Sequence, residues 1–314
     1  MSEVSSNKRG LVIGCGGVAG AAWVIPTLNE LEKQLNWQAA DADIMIGTSS
    51  GAMLVSLLAA GVPTSRMMQS QEINQALDGC VWDHDKHTGG AMPPTPKPAL
   101  TAPGLLIKGL QGKVSALTAA CGLAPRGAAN IQPFIDMLDE VIPAGKWAKH
   151  PAAWLMAVDH KSGERVALGS SDHQSIPMNK AACASYAIPG WCPPININGK
   201  TYLDGGIASP TSADFLLNTD VEEVYILAPM ASSEMDRPNS MATKFERRVR
   251  AIMTRIVDKE VTQLKKAGKK VIRIEPGPKD LQAIGYNMMD PKRRKKVFHT
   301  AVATAPAAVA KAIA

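Results

Sequence analysis

The residues best suited to chemistry lie in one pentapeptide, Gly47-Thr48-Ser49-Ser50-Gly51, which has the G-x-S-x-G spacing of a nucleophile elbow. A strand that reverses sharply into a helix leaves the central hydroxyl standing at the turn. Side chains at the two glycine positions, Gly47 and Gly51, would collide with neighbouring backbone. The helix that begins there adds positive potential at Ser49, which favours negative charge developing on its oxygen. Such an arrangement serves acyl transfer through an attacking serine. The same five residues also suit a tight structural turn.

Upstream, Gly14-Cys15-Gly16-Gly17-Val18-Ala19 supports two readings. It satisfies the G-x-G-x-x-[GA] dinucleotide fingerprint between a strand and a helix, but that use requires an acid at the end of the next strand to hold a ribose. The next strand ends in Ile46-Gly47-Thr48-Ser49, without an acid. In the second reading, backbone N–H groups of this turn point at an oxyanion while the later turn supplies the serine. One such donor contributes about 2.7–4 kcal/mol to a transition state.

A serine hydroxyl also needs a proton acceptor. His84, His87, His150, His160 and His173 all precede the best acid candidate, the aspartate of Asp204-Gly205-Gly206. Only His299 follows it, within the charged stretch Lys295-Lys296-Val297-Phe298-His299, where a solvated ring is the simpler account. The Ser, acid, His order of α/β-hydrolases therefore fits poorly. Taken alone, Asp204-Gly205-Gly206 is an ordinary turn after a strand.

These groups must be positioned by an α/β framework. Short apolar runs alternate with amphipathic segments, which predicts one domain with a mostly parallel central sheet flanked by helices. Strands are expected at Leu11–Ile13, Asp43–Ile46, Trp154–Asp159, Arg165–Leu168, Ile195–Tyr202 (turning at Asn198-Gly199), Val224–Ala228 and Val271–Ile274. Helices are expected at Val18–Leu35, kinked at Pro26, and at Ala52–Ala60, the latter apolar nearly all round and so buried. The chain has 314 residues, 46% of them hydrophobic but only 4% aromatic, so its core is aliphatic and wholesale disorder is excluded. Residues 1–9 read as a flexible start, and 10–314 as the domain. Within it, the proline- and glycine-rich stretch 80–130 reads either as a lid or as a surface excursion, and 240–314 as a basic helical part. Leu100, Leu105, Leu106, Ile107 and Leu110 suit either an acyl channel or ordinary core.

Five scattered cysteines without a CxxC pair imply neither a disulfide framework nor a zinc site, and no metal or other cofactor is expected. The polar opening MSEVSSNKRG lacks the apolar run of a secretory signal, so a reduced, cytoplasmic location is the expectation. Charge is uneven: residues 244–296 carry 17 Lys and Arg against 6 Asp and Glu. Phe245, Val249, Ile252, Met253, Ile256, Val257, Val261 and Leu264 keep helical spacing there, which predicts an apolar stripe packed on the sheet beneath a basic face. Arg247, Arg248, Arg255 and the run Lys292 to Lys296 are candidates for contact with an anionic membrane surface. Nucleic acid is not expected, because no aromatic residue interleaves the basic run as a stacking platform.

Four segments in order, Gly14 to Gly20, Gly47 to Gly51, Ala184-Ser185-Tyr186-Ala187-Ile188-Pro189-Gly190 and Asp204-Gly205-Gly206, resemble the patatin-like phospholipase family over roughly residues 10–210. A weaker echo of some bacterial members lies in Ile284-Gly285-Tyr286-Asn287 and Asp290-Pro291. The resemblance implies a lipid or other acyl-ester substrate and a Ser–Asp dyad without histidine. Ser49 would attack the ester carbonyl, Asp204 would carry its proton, and the amides of Gly16 and Gly17 would hold the oxyanion. Gly205 and Gly206 allow close backbone approach beside the carboxylate. Acyl transfer to another alcohol, or thioester cleavage, would use the same parts, a catalytically inactive lipid-binding module is a further alternative, and the oligomeric state stays open. One departure stands out: where the family pattern reads G-G-G-x-[RK]-G, this chain has Cys15 for the first glycine and Ala19 for the basic residue. The backbone donors survive that change, but any charge supplied by the basic side chain is expected to be lost.

Overall fold

The computed structural model describes residues 7–73, 90–171 and 176–314. Residues 1–6 of the expected flexible start, 80–89 of the proline-rich stretch, and Cys80, His84, His87 and His173 lie outside the described residues. Among the described residues ten strands are formed: β1 (Arg9–Ile13), β2 (Ile44–Thr48), β3 (Lys97–Leu100), β4 (Pro125–Arg126), β5 (Ala153–Asp159), β6 (Arg165–Leu168), β7 (Ile195–Ile197), β8 (Lys200–Asp204), β9 (Glu223–Leu227) and β10 (Lys270–Ile274). Eight of them build one sheet in the order β10-β9-β1-β2-β5-β8-β7, with β6 also on β5, and β3 pairs β4 separately. The run from β10 to β5 is parallel, while β6, β7 and β8 are antiparallel additions.

The inner parallel strands β1, β2 and β9 are buried along nearly their whole length, as continuous apolar runs in a sheet covered on both faces require. Alternate residues divide between two cores, following the period of two along a strand. Leu11, Ile13, Tyr225 and Leu227 pack with helices α1 (Gly17–Leu35) and α2 (Ser50–Ala59) and with the C-terminal helix Arg294–Ile313. Val12, Ile46, Val224 and Ile226 pack on the other face against Val257 and Leu264 of the long helix Met241–Lys266. Helix α1 continues through Pro26 without interruption. The Asn198-Gly199 turn between β7 and β8 has positive φ at both residues, 50° and 80°, as a two-residue hairpin requires.

The long helix departs from the expected stripe. Met253, Val257 and Leu264 are buried, but Phe245 and Ile252 face water, and Glu246, Arg247, Arg250 and Glu260 take inner positions instead. Charged residues are accommodated there because they are paired. Arg247 Nε bonds Asp236 at 2.6 Å, and Arg250 Nη2 meets Glu246 at 2.8 Å. Arg247 and Arg294 are thus buried and unavailable to a membrane surface, whereas Arg248, Arg255, Lys292, Lys295 and Lys296 are exposed.

Glu260, on the same helix, clamps the loop that follows β8. Its carboxylate accepts from Ser209 at 2.5 Å, from the Thr211 hydroxyl and from the Ala213 amide at 3.0 Å, and Arg165 lies 3.4 Å away. Burial, with Asp214 nearby, pushes its carboxyl up to about 7. Hydrogen bonds to a charged group contribute about 1.5–3 kcal/mol. Glu260→Ala is therefore expected to lower the unfolding free energy in urea by about 3 kcal/mol. A loss below about 1 kcal/mol would show that the loop is held by other contacts.

Candidate active site

The site originates in the pairing of β5. Along one edge of this strand β2 occupies Ala153 to Met156, and β8 occupies Ala157 to Asp159. Because β6 covers Leu155 to Val158 on the other edge, β2 and β8 must share one edge end to end. They run towards each other. Thr48 lies opposite Met156, and Asp204 lies opposite Ala157, its next neighbour. The residue that leaves β2 is Ser49, so two segments 155 positions apart deliver a hydroxyl and a carboxylate to one spot. The Ser49 hydroxyl is close enough to the Asp204 carboxylate to favour its charged form.

Ser49 has φ 57° and ψ −121°, a combination that an L-residue adopts only under constraint. The constraint is close packing at both glycines. A Cβ on Gly47 would lie 2.6 Å from Ala52 Cα, and one on Gly51 would lie 2.1 Å from the Ile13 carbonyl oxygen of β1. Gly51→Ala is accordingly expected to destabilise the fold by about 3 kcal/mol in a urea melt, since backbone rather than a movable side chain blocks the methyl group. An unchanged melt would contradict this account of the elbow. All ten residues of α2 are buried, and its N-terminus starts at Ser50, directly behind the hydroxyl.

The Ala184–Gly190 segment ties the two halves together. The Ser49 amide donates to Ser185 Oγ at 2.9 Å, and that hydroxyl donates to the Met156 carbonyl at 2.5 Å. Two residues on, the Ala187 carbonyl accepts the Asp204 amide at 3.1 Å. Sequence reasoning used this segment only as a resemblance and missed these roles. The signal was the small, polar Ser185 at the end of the buried helix Met178–Ser185.

Beyond the carboxylate, Gly206 N–H donates to Asp204 Oδ1 at 2.6 Å. A Cβ on Gly206 would touch that oxygen and Cys15 Sγ, each at 2.9 Å, and one on Gly205 would lie 2.4 Å from the Met156 carbonyl oxygen. The glycine turn therefore abuts the Asp204 turn. Its first residues are held by Gly14 N–H to Leu227 O at 2.9 Å and Cys15 N–H to Pro210 O at 2.8 Å. Further on, Ala19 N–H donates to Met288 O at 2.9 Å. Between these anchors, Gly16 and Gly17 donate to no backbone carbonyl among the described residues, which leaves two amides for another acceptor. Gly17 has φ 58°, and a Cβ there would meet the Met288 carbonyl oxygen at 2.8 Å.

A cation is present behind this turn despite Ala19. Arg250 is fully buried, donates to the Pro229 carbonyl at 2.6 Å, and acts electrostatically on Cys15. Pro229 in turn fills the space beside Gly16 and Gly20. The Arg250 charge is already paired with Glu246, at 2.8 Å.

Ser49 and Asp204 are 2% and 4% exposed. Burial raises the Asp204 carboxyl to about 7, against the opposing pull of the Ser49 hydroxyl and the Gly206 amide. At neutral pH the carboxylate is then both populated and basic, which suits a proton acceptor. The described histidines have other surroundings: His150 bonds Ala42 O at 2.7 Å, His160 bonds Thr101 O at 2.8 Å, and His299 is exposed beside Glu72. Among the described residues, no group of three or more His, Cys, Asp or Glu is placed to hold a metal ion, and no helix is long and apolar enough to cross a membrane.

The stretch 90–130 forms the short helices Gly104–Leu110 and Ala116–Cys121 beside the Asp204 turn. Burial, with the Asp204 charge as a lesser cause, raises the Cys121 thiol to about 11. Of the five candidate leucine and isoleucine residues here, Leu105 alone is core. Leu100, Leu106, Ile107 and Leu110 are exposed and so are not core.

Together the geometry defines a serine–carboxylate pair on a parallel α/β sheet, next to unengaged glycine amides. The patatin-like phospholipase family model matches residues 11–217, and the chain belongs to that family. No curated protein matches the chain at a significant level. Among solved structures, the chain is similar to VipD from Legionella pneumophila, with 13% identity and a TM-score of 0.44, over 98% of this chain and 67% of that one. It is also similar to the type III effector protein ExoU, with 14% identity and a TM-score of 0.38, over 97% of this chain. The chain spans about half of ExoU, 53% of its length.

Proposed function

We propose that the protein is a lipid acyl-ester hydrolase that works through a Ser49–Asp204 dyad and an acyl-enzyme. Family membership supports the ester chemistry. The observation that supports the dyad is the end-to-end meeting of β2 and β8 on one edge of β5, which brings Ser49 and Asp204 to adjacent residues of that strand.

In the first step Ser49 Oγ attacks the carbonyl carbon of the ester while its proton passes to Asp204. The carbonyl oxygen becomes an oxyanion, stabilised by the Gly16 and Gly17 amides and by the α2 N-terminus. Collapse of this intermediate expels the alcohol, which takes the proton from Asp204 and leaves Ser49 acylated. Water then attacks the acyl group, again giving its proton to Asp204. The second collapse releases the carboxylic acid and returns the proton to Ser49. A lone aspartate with an ordinary pKa near 3.9 would be too weak a base. The buried Asp204, near 7, is far better matched to neutral pH.

Incubation of the purified chain with mixed phospholipid vesicles, followed by mass spectrometry of the released acids, tests this reading. Free fatty acid and lysophospholipid in equal amounts are expected. Turnover of neither phospholipid nor a soluble p-nitrophenyl ester would refute it.

A further inference from the structure

We propose that residues 91–126, an insert within the stretch 80–130, are a docking surface for an anionic lipid bilayer. Its position is determined at both ends. Asn287 Nδ2 donates to the Ala91 carbonyl at 2.6 Å, and the neighbouring Met288 carbonyl holds the glycine turn through Ala19. At the other end, the Thr118 hydroxyl donates to the Ile207 carbonyl at 2.9 Å, three residues beyond Asp204. Between them Leu105 is fully buried against Val158, Leu203 and Ile207, which fixes the helix Gly104–Leu110 to β8. The insert thus contacts both halves of the candidate site.

Several of its apolar residues face water. Met92, Leu100, Leu106, Ile107, Leu110 and Leu123 are all exposed, with Leu110 at 83% and Ile107 at 58%. Scattered single apolar residues on a surface are ordinary, but Leu106, Ile107 and Leu110 fall at i, i+1 and i+4 of the helix Gly104–Leu110, share one of its sides, and mark an interaction face. The charges of the same segment are of one sign. Lys97, Lys108, Lys113 and Arg126 are its cations, and residues 91–130 contain no Asp or Glu, although the chain has 28.

This combination selects the partner. The cores of protein–protein interfaces are depleted of lysine, and an unbalanced set of cations costs affinity there. A bilayer with anionic headgroups accepts both features at once. Leucine and isoleucine side chains enter below the headgroups, while lysine ammonium groups stay at headgroup level on their flexible stems. The choice of a bilayer rests on the lipid acyl hydrolase reading, since such a substrate would lie in that bilayer. The surface itself is independent of the dyad.

The test is co-sedimentation of the full chain with vesicles of non-hydrolysable diether phosphatidylcholine, with and without diether phosphatidylglycerol, beside turnover of a soluble p-nitrophenyl ester. The intact protein is expected to bind the phosphatidylglycerol vesicles, more weakly as salt rises. Ile107→Ser with Leu110→Ser is expected to weaken binding about 100-fold, or roughly tenfold per inserted side chain. Lys108→Glu with Lys113→Glu is expected to weaken it at least about 25-fold, on the anionic vesicles only. Soluble-ester turnover should be unchanged in both. Leu110→Ser alone, at the most exposed position, replaces the double variant if that does not fold.

Variants that bind as tightly as the parent overturn the proposal. So does a parent that cleaves the soluble ester yet ignores both vesicle types, a result that leaves the hydrolase reading standing. Binding without turnover of the soluble ester or of ester phospholipid vesicles supports the docking surface and refutes the hydrolase. A variant that loses self-association but keeps vesicle binding assigns the face to a second copy of the chain, against the proposal.

Discussion

Ser49→Ala is expected to lower kcat for ester cleavage by at least about 10,000-fold while leaving the melting temperature nearly unchanged. The size follows from the role. Without the hydroxyl no acyl-enzyme forms, and residual turnover can come only from water attack assisted by binding and the glycine amides. The small stability effect follows from the backbone. Ser49 holds its φ of 57° because Gly47 and Gly51 pack against Ala52 and β1, and because its own amide donates to Ser185. Alanine keeps all of these contacts. Kinetics on a p-nitrophenyl ester and a thermal melt check both halves. Activity within about tenfold of the parent would remove Ser49 from the mechanism.

Asp204→Asn is expected to lower kcat by about 1,000-fold, the scale of general acid–base assistance. Its stability signature distinguishes a base from a structural turn. The Asp204 carboxyl is raised from 3.8 to about 7 by burial, so the folded chain holds a proton there that the unfolded chain releases. Between those two values stability falls as pH rises, and above about 7 the full penalty applies. At about 1.4 kcal/mol per pKa unit the penalty reaches roughly 4 kcal/mol. Asparagine carries no charge and avoids it. The variant should therefore be more stable than the parent at mildly alkaline pH, and the gap should close below about pH 4. In the parent, kcat/KM should rise with pH through about 7, as the carboxylate forms. A flat activity profile across that range, or a variant destabilised at alkaline pH, would contradict the assignment.

Much of this site was legible in the residues because its parts are local. The elbow, the glycine turn and the Asp204 turn each depend on glycines at fixed spacing, and close contacts at Gly51, Gly17 and Gly206 explain why no other residue serves. The strands followed from apolar runs, with Val224 to Ala228 expected and Glu223–Leu227 formed. What was not legible depends on partners far along the chain. The pairing of Thr48 and Asp204 with adjacent residues of β5 has no local signature. Nor does the hydrogen bond from the Ser49 amide to Ser185, 136 positions away. The long helix was misread for the same reason. Periodicity registers Phe245 and Ile252 as apolar, but Arg250 and Glu246 hold inner positions through mutual pairing, which hydropathy treats as solvent-facing. The leucine and isoleucine residues of the insert gave an apolar signal with no direction, and most of them point outward.

The central claim is that Ser49, held against Asp204, is the activated nucleophile, and labelling with a fluorophosphonate ester tests it most directly. Mass spectrometry of the digested protein should locate a single phosphonylated residue at Ser49, and Asp204→Asn should slow its modification by about two orders of magnitude or more. Label on a different serine, or equal labelling rates with and without the Asp204 carboxylate, would contradict the account.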